Sequence, residues 1–476
     1  MNSPIQGPGA GARAVGLDED VAQSLYARRE RIYPREVHGV FARLRVLAVA
    51  VLLGLFYGVC WFRWDGQQLV LFDLPARKFH IFGITLFPQD FLFLAALLII
   101  AALTLFFFTA LAGRLWCGYA CPQTVWTEVF LWIEHKLEGD RRQQMKLDKG
   151  PWNRRKITIK SAKHAIWIVF SLWTGFTFVG YFTPITDLGA RVMSLELGPW
   201  ETFWILFYGF ATYGNAGWMR EQVCIYMCPY ARFQSAMFDR DTLVISYDRA
   251  RGEPRGARKR SVDKRAAGLG DCIDCTMCVQ VCPTGIDIRN GLQYQCIACA
   301  ACVDACDQVM EQMNYPKGLI RYTTENALQG RATRVIRPRT IVYACVLVVL
   351  LGALLYALLA RTPFALDVIR DRHALYREVE PGVIENVYTL KLISMDDATH
   401  RYRLSTDGIE GIALVTETPE VEVRGGEVLS LPVRVRAPAS ALSPGANAFI
   451  FALERAGDDG ARVEEEARFL GPAGAR

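Results

Sequence analysis

At 476 residues the chain has room for roughly two to four folded units. It is 52% hydrophobic and 12% aromatic with a formal net charge of +6. The positive residues sit in particular loops rather than spreading evenly, and no nucleic-acid partner is expected. Fourteen cysteines would mean disulfides in a small secreted protein, but eight of them fall between Cys272 and Cys306 at ligand spacing, which favours metal. The residues after Cys345 contain none, so that part is expected to hold together without disulfides.

About 45 polar residues come first without a signal-peptide pattern, so the first apolar run is expected to be a retained membrane span. Crossing the hydrocarbon takes about 20 apolar residues as helix. Five runs qualify: 46–62, 91–112, 165–186, 200–218 and 340–360, of which 200–218 is diluted by Glu201, Asn215 and several small residues. Lys and Arg number seven before the first run, then three, eleven, one and eighteen in the successive connections 63–90, 113–164, 187–199 and 219–339. That alternation places the N-terminus, the second loop and the fourth loop in the cytoplasm of a bacterial inner-membrane protein, and the tail from 361 in the periplasm. The basic loop 136–163 is expected to meet anionic lipid headgroups, and His135 and His164 read as surface histidines.

Two cysteine pairs follow spans directly: Cys117-Gly-Tyr-Ala-Cys121-Pro122 and Cys224-Ile-Tyr-Met-Cys228-Pro229. Arg114-Leu-Trp precedes one and Arg220-Glu-Gln the other, so the two look like an internal repeat. If each pair begins a helix, positions i and i+4 lie on one face and both sulfurs converge on one atom. Soft thiolates select Cu(I) and related metals, and Met227 could add a thioether. A redox-active dithiol and a structural pair are the alternatives.

The next motif is Cys272-x2-Cys275-x2-Cys278-x3-Cys282-Pro283, repeated as Cys296-x2-Cys299-x2-Cys302-x3-Cys306-Asp307. In this C-x2-C-x2-C-x3-C pattern three cysteines wrap one [4Fe–4S] cubane and the fourth reaches the other cluster. Cys272, Cys275, Cys278 and Cys306 are thus predicted to hold one cluster, and Cys296, Cys299, Cys302 and Cys282 the other. Zinc sites also use paired C-x-x-C, but as two pairs across a loop rather than three plus one repeated. Asp307 stands where a proline would be expected, which alters the local turn and removes no ligand. The motif specifies electron transfer, not its substrate.

The tail alternates apolar and polar residues at 387–393, 420–424 and 429–436, with a further strand at 449–455 and turn signals at Gly425-Gly426, Ser443-Pro444-Gly445 and Asp458-Asp459-Gly460. Short strands at this spacing predict an immunoglobulin-like β-sandwich, a fold that carries no chemistry by itself. The expected organisation is a multi-domain membrane protein. It comprises a cytoplasmic segment (1–45), a four-helix membrane domain with both C-x3-C-P pairs (46–235), a cytoplasmic ferredoxin-like insert with two [4Fe–4S] clusters (236–339), a fifth transmembrane helix (340–360) and a periplasmic immunoglobulin-like domain (361–476).

With the stretches WCGYACPQTVW at 116–126 and CIYMCPY at 224–230, the twin cluster motifs and the β-rich tail, the chain resembles the CcoG family, also called FixG or RdxA, from about residue 35 onward. Its membrane core is also similar to NapH, the quinol-dehydrogenase membrane component of periplasmic nitrate reduction; the tail after a fifth span favours CcoG. The resemblance, and not the spacing, implies a cupric reductase in the assembly of cbb(3)-type cytochrome c oxidase. Electrons from an unidentified cytoplasmic donor would reach copper, as substrate, at Cys117, Cys121, Cys224 and Cys228. A copper transporter or chaperone and oxidase assembly factors would be its partners. A quinol-linked electron conduit and a non-enzymatic assembly scaffold are the competing readings.

Overall fold

The computed structural model describes residues 31–64, 66–261, 268–371, 375–396, 398–416, 420–457 and 462–472. Helix α1 (Val40–Gly58) is followed by a small antiparallel sheet of β1 (Val70–Asp73), β2 (Lys78–Ile81) and β3 (Ile84–Leu86). Helix α2 (Phe91–Ala112) leads through the short α3 (Leu115–Tyr119) to α4 (Pro122–Glu138). After α5 (Arg154–Val179) come α6 (Pro199–Thr212) and α7 (Pro229–Met237). Among the described residues four helices are long and apolar enough to cross a membrane: α1 with its extension to Trp61, α2, α5, and α10 (Pro338–Leu359). The stretch 200–218, expected as the fourth span, is α-helical only as α6 and then winds as a π-helix over Tyr213–Met219, the part that holds Asn215 and two glycines.

Helix α5 starts at Arg154 rather than at the expected 165, because the Asn153 side chain caps it by accepting from the Lys156 N–H at 2.8 Å. The basic residues before the apolar run are therefore helical, and Lys156 and Lys163 are buried. Lys156 donates to the carbonyls of Asp148 and Gly150 at 2.9 and 2.8 Å. Lys163 pairs with Glu134 and Glu138 of α4 at 3.2 and 2.7 Å. Part of the basic loop expected to face lipid thus turns its charge inward. His135 and His164 are half-buried, with the Pro34 carbonyl and the Tyr213 hydroxyl as partners, not surface groups.

Strands β4 (Val244–Tyr247) and β5 (Ile320–Thr323) pair antiparallel and enclose the two cysteine motifs. Each motif wraps into a helix, α8 (Met277–Gln280) and α9 (Ala301–Gln312). Helix α8 stops before Pro283, whereas Asp307 in the equivalent place lets α9 continue, and its carboxylate accepts from the Gly318 N–H at 2.8 Å. This module docks on the first turn of α1. The Asp304 carboxylate accepts from the N–H of Ala42 at 2.7 Å and of Phe41 at 3.3 Å, and the Phe41 ring meets Tyr322 edge-on at 5.3 Å.

The tail is a sandwich of two antiparallel sheets. One is β10 (Ala413–Val415), β12 (Val428–Pro438), β8 (Val383–Ser394) and β6 (Phe364–Arg370), with β7 (Arg377–Glu380) also on β8. The other is β11 (Glu420–Val423), β9 (His400–Asp407), β13 (Ala446–Arg455) and β14 (Arg462–Leu470). Tyr388, Leu390, Val435, Phe449, Phe451 and Phe469 fill the space between them. All four expected strands are present; the turn expected at 458–460 lies outside the described residues. The sandwich rests on the far end of α2, where Arg361 pairs with Asp90 at 2.6 Å and Phe87 packs with Ile393 and Met395. The cysteine module and the sandwich thus sit at opposite ends of the helices.

Candidate metal centres

The eight clustered cysteines close around two hollows. Cys272, Cys275, Cys278 and Cys306 line the first, with Tyr247, Met310 and Leu319 behind them. Cys282, Cys296, Cys299 and Cys302 line the second, with Ile245, Ile286 and Ile288. The fourth cysteine of each motif crosses to the other motif's hollow, and Cys278 borders both. Asp274 and Thr276 in the first loop, and Ala298 and Ala300 in the second, all have φ between 51° and 59°. Two non-glycine residues in the left-handed region per loop, at the same two positions, is strain that persists only where the surroundings impose it. No residue type in the sequence announces it. Burial pushes the Cys278 and Cys296 thiols up to about 12, so as thiolates they need a compensating cation. Four thiols around an apolar hollow fit a [4Fe–4S] cluster in each place, and bound iron would supply that charge.

The other two pairs do not each share one helix face as expected. Cys117 lies in α3, and Cys121 is the extended residue that starts α4, with Pro122 in its first turn. Cys224 lies in a π-helix, Val223–Met227, and Cys228 starts α7 in the same way. Met227, between Cys224 and Cys228 in the chain, is 60% exposed. The repeat is nevertheless real in the backbone: Gly113 (φ 55°, ψ −114°) and Arg220 (φ 46°, ψ −114°) end the two preceding helices in the same turn. Gly113 thus corresponds to Arg220, and Arg114 to Glu221, one residue away from the match the sequence suggested.

Each proline-started helix packs on the other repeat. Gln123 of α4 donates to the carbonyls of Asn215 and Arg220 at 2.9 and 3.1 Å. The Tyr230 hydroxyl of α7 bonds that of Thr109 in α2, and the Gln234 amide donates to the Cys117 sulfur at 3.4 Å. This exchange brings all four thiols within electrostatic range of one another. Burial raises Cys117 to about 11 and Cys224 to about 12. Among the described residues no three His, Cys, Asp or Glu side chains stand close enough to hold a single ion; a cubane spreads its thiolates over a wider cage than one ion does.

These thiols abut the second hollow. A Cβ on Gly118 would lie 2.8 Å from the Ala298 carbonyl oxygen, so only glycine allows this approach. Tyr322 donates to that same carbonyl at 2.6 Å, and Tyr294 to the Ile225 carbonyl at 3.2 Å. A small chamber between Cys224 and Cys299 is lined by Arg45, Gln123, Glu128, Arg220 and Glu221. Arg220 and Glu221 also border a larger cavity of about 440 Å³ walled by Trp152, Trp167, Trp218 and His164. Sequence reasoning did not find this cavity, because its walls come from residues far apart in the chain.

Three family models match the chain: a 4Fe-4S binding domain over residues 94–139, a 4Fe-4S dicluster domain over 219–325, and the IG-like fold at the C-terminal of FixG over 354–472. Protein RdxA of Cereibacter sphaeroides is 40% identical over 433 residues, covering 88% of this chain and 89% of that protein. Nitrogen fixation protein FixG of Rhizobium meliloti is 39% identical over 422 residues, 81% of this chain and 80% of its own length. A crystal structure of a FixG-related protein from Vibrio parahaemolyticus is 31% identical, covering 23% of this chain and 96% of that one, with a TM-score of 0.21. With its apolar helices, its 4Fe-4S domains and relatives at this identity over most of its length, this chain belongs to the FixG/RdxA family of iron–sulfur membrane proteins.

Proposed function

We propose that this protein is a cupric reductase of the bacterial inner membrane that acts in the assembly of cbb(3)-type cytochrome c oxidase. In this reading the chain crosses the membrane five times, with α6 and its π-wound extension as the fourth span. The N-terminus and the cysteine module face the cytoplasm, and the sandwich faces the periplasm, where it docks an oxidase subunit, an assembly factor or a copper carrier. Cys272, Cys275, Cys278 and Cys306 hold one [4Fe–4S] cluster, and Cys282, Cys296, Cys299 and Cys302 the other. When bound, the clusters supply one-electron storage fed by a cytoplasmic donor. Cu(II), the substrate, takes one electron and becomes Cu(I) at Cys117, Cys121, Cys224 and Cys228. A pair of thiolates suffices to hold that soft ion until it is handed on, and exposed Met227 could receive it at the rim.

The observation that carries this reading is the packing of four half-buried thiols, outside both hollows, against the second hollow. The electron transfer to Cu(II) itself moves no proton; the thiols release theirs to solvent when they bind copper as thiolates. The 440 Å³ cavity favours a second reading, in which its indole walls hold a quinol headgroup that feeds the hollows through the Arg220–Glu221 side. The test uses anaerobically purified protein with reduced clusters. Added Cu(II) should reoxidise them with an equal amount of Cu(I) formed, and Cys→Ser at 117, 121, 224 and 228 should abolish this. Clusters that stay reduced with Cu(II) but oxidise with a quinone analogue would replace the first reading by the second.

A further inference from the structure

Arg114 stands between the membrane-edge thiols and the second hollow. It is 6% exposed. It donates to the Cys296 carbonyl at 2.9 Å, to the Tyr294 carbonyl, and to the Ala231 carbonyl of α7 at 3.4 Å. The rings of Phe238 and Tyr294 lie 5.7 and 5.4 Å from its guanidinium. All these partners are neutral. The two other buried arginines each have a carboxylate: Arg220 has Glu134 at 2.7 Å and Arg289 has Asp287 at 2.7 Å. Among the described residues Arg114 has none. A buried charge without a counter-ion is costly and persists where an opposite charge belongs. The sulfurs of Cys117 and Cys296 are both within electrostatic range of Arg114.

We propose that Arg114 is the counter-charge of the cluster held by Cys282, Cys296, Cys299 and Cys302, and that it raises that cluster's reduction potential above its neighbour's. The inference rests on the ligand sets proposed above and not on copper as substrate. A fixed cation in a poorly polarisable setting favours the more negative, reduced form, and net charge near the sulfurs is one of the determinants of such potentials. At the first hollow the charge of Arg289 is cancelled by Asp287 and Asp274. Among the described residues Arg258 also has only neutral partners and donates to the Cys272 carbonyl at 3.2 Å, but unlike Arg114 it is partly exposed, where solvent weakens its field. Arg45, beside the Cys299 carbonyl at 3.1 Å, has Glu128 at 3.9 Å. The asymmetry makes the cluster beside Cys117 and Cys224 the resting place of the electron, so Arg114 is a positioning residue for the electron rather than a ligand.

The experiment is a potentiometric titration of full-length protein carrying eight iron atoms per chain, read by electron paramagnetic resonance. In Arg114→Gln one cluster's midpoint should fall while the other's stays. The shifted signal should be the one that Cys282→Ser alters. Arg114→Lys, which keeps the charge, should stay near the native midpoint, and Arg45→Gln should shift less than Arg114→Gln. Unchanged midpoints, equal shifts in both clusters, or a lysine variant that behaves like the glutamine variant would overturn the proposal. If Arg114→Gln loses iron, the lysine variant decides: a native midpoint supports the charge, and loss of iron there too makes the hydrogen bonds the requirement and overturns it. A Cys282→Ser change that alters the other cluster's signal would instead refute the ligand sets, independently of any result at Arg114.

Discussion

Replacing Asp304 by alanine removes the cap of the first membrane helix from a residue more than two hundred positions away. The N-cap position of α1 is Gly39, which has no side chain, and Asp304 of α9 supplies the missing carboxylate through Ala42 N at 2.7 Å and Phe41 N at 3.3 Å. A Cβ on Gly39 would fall 2.2 Å from the Asp304 Cγ, so the approach depends on glycine. Losing an N-cap costs about 1 kcal/mol, and losing a negative charge at a helix N-terminus costs about 0.3–1 kcal/mol more. Together that is about 1.3–2 kcal/mol, or roughly a 9- to 30-fold rise in opening of the first turn. The module should stay docked, because Arg35 N to Gln280 O (2.8 Å), Arg45 to Cys299 O (3.1 Å) and the Phe41–Tyr322 contact remain. Hydrogen exchange in detergent or nanodiscs should therefore show faster exchange in residues 40–44 by about that factor, with α10 unchanged and iron retained. Asp304→Asn, which keeps an acceptor, should fall between. If 40–44 exchange at the native rate in an iron-loaded alanine variant, the cap contributes nothing and the reasoning fails.

Gly118→Ala would push a Cβ against two backbone carbonyls, at 2.8 and 2.9 Å, at a cost of about 1–3 kcal/mol. Stopped-flow reoxidation of reduced clusters by Cu(II) should slow as α3 separates from the second loop, and a native rate would contradict the contact. Glu134 is held near pKa 2, despite burial, by Arg220, Lys163 and Arg31. Glu134→Gln should cost about 3 kcal/mol at neutral pH, because it leaves buried Arg220 without a carboxylate, while Lys163 keeps Glu138 and Arg31 keeps Asp148. The sign with pH follows from the depressed value: this stabilisation is complete above the ordinary 4.5 and disappears as pH falls from there towards 2. Denaturation midpoints of the native protein and the variant should therefore converge on acidification, and a constant gap would refute the assignment. Tyr388→Phe removes a hydroxyl that donates to the Arg468 carbonyl across the sandwich at 2.9 Å. It should lower the denaturation free energy of the tail by about 1 kcal/mol, and an unchanged midpoint would count against that bond.

The parts legible in the sequence are those written in short-range spacing. Eight cysteines within one stretch determine which thiols meet, since loops this short leave few ways to wrap a cluster. Strands whose apolar positions are numerous, such as β8 and β12, announce themselves by period. Strand β9 turns only Tyr402 and Leu404 fully inward, and β14 only Ala467 and Phe469, too few for the alternation to stand out. Other features depend on distant partners. Asp304 reads as filler between Cys302 and Cys306 until α1 is placed above it. The start of α5 was missed because charged residues conceal a helix that is capped at Asn153 and neutralised by α4. The repeat was visible, but its register was not, because arginine occupies at 220 the strained turn that glycine occupies at 113.

That register changes the meaning of the duplication. With Arg114 opposite Arg220 the two halves would look electrostatically alike; with Arg114 opposite Glu221 they are opposite. Arg220 holds its strained turn through its own side chain, which donates to the Gly217 carbonyl at 3.0 Å and pairs with Glu134. Its charge is consumed there. The first repeat needs no such clamp, because glycine takes the turn without strain, and so its arginine, one residue later, is available to face the second hollow. The second repeat places Glu221 in the chamber beside Cys224. Two copies of one span-and-cysteine unit therefore meet around four thiols with a cation on one side and a carboxylate on the other. A symmetric pair would give an electron no preferred side. Arg114 lies against the hollow with neutral partners, whereas the chamber holds Arg45 and Arg220 as well as Glu128 and Glu221, so among the described residues the duplication leaves its one uncompensated cation on the side of the second hollow.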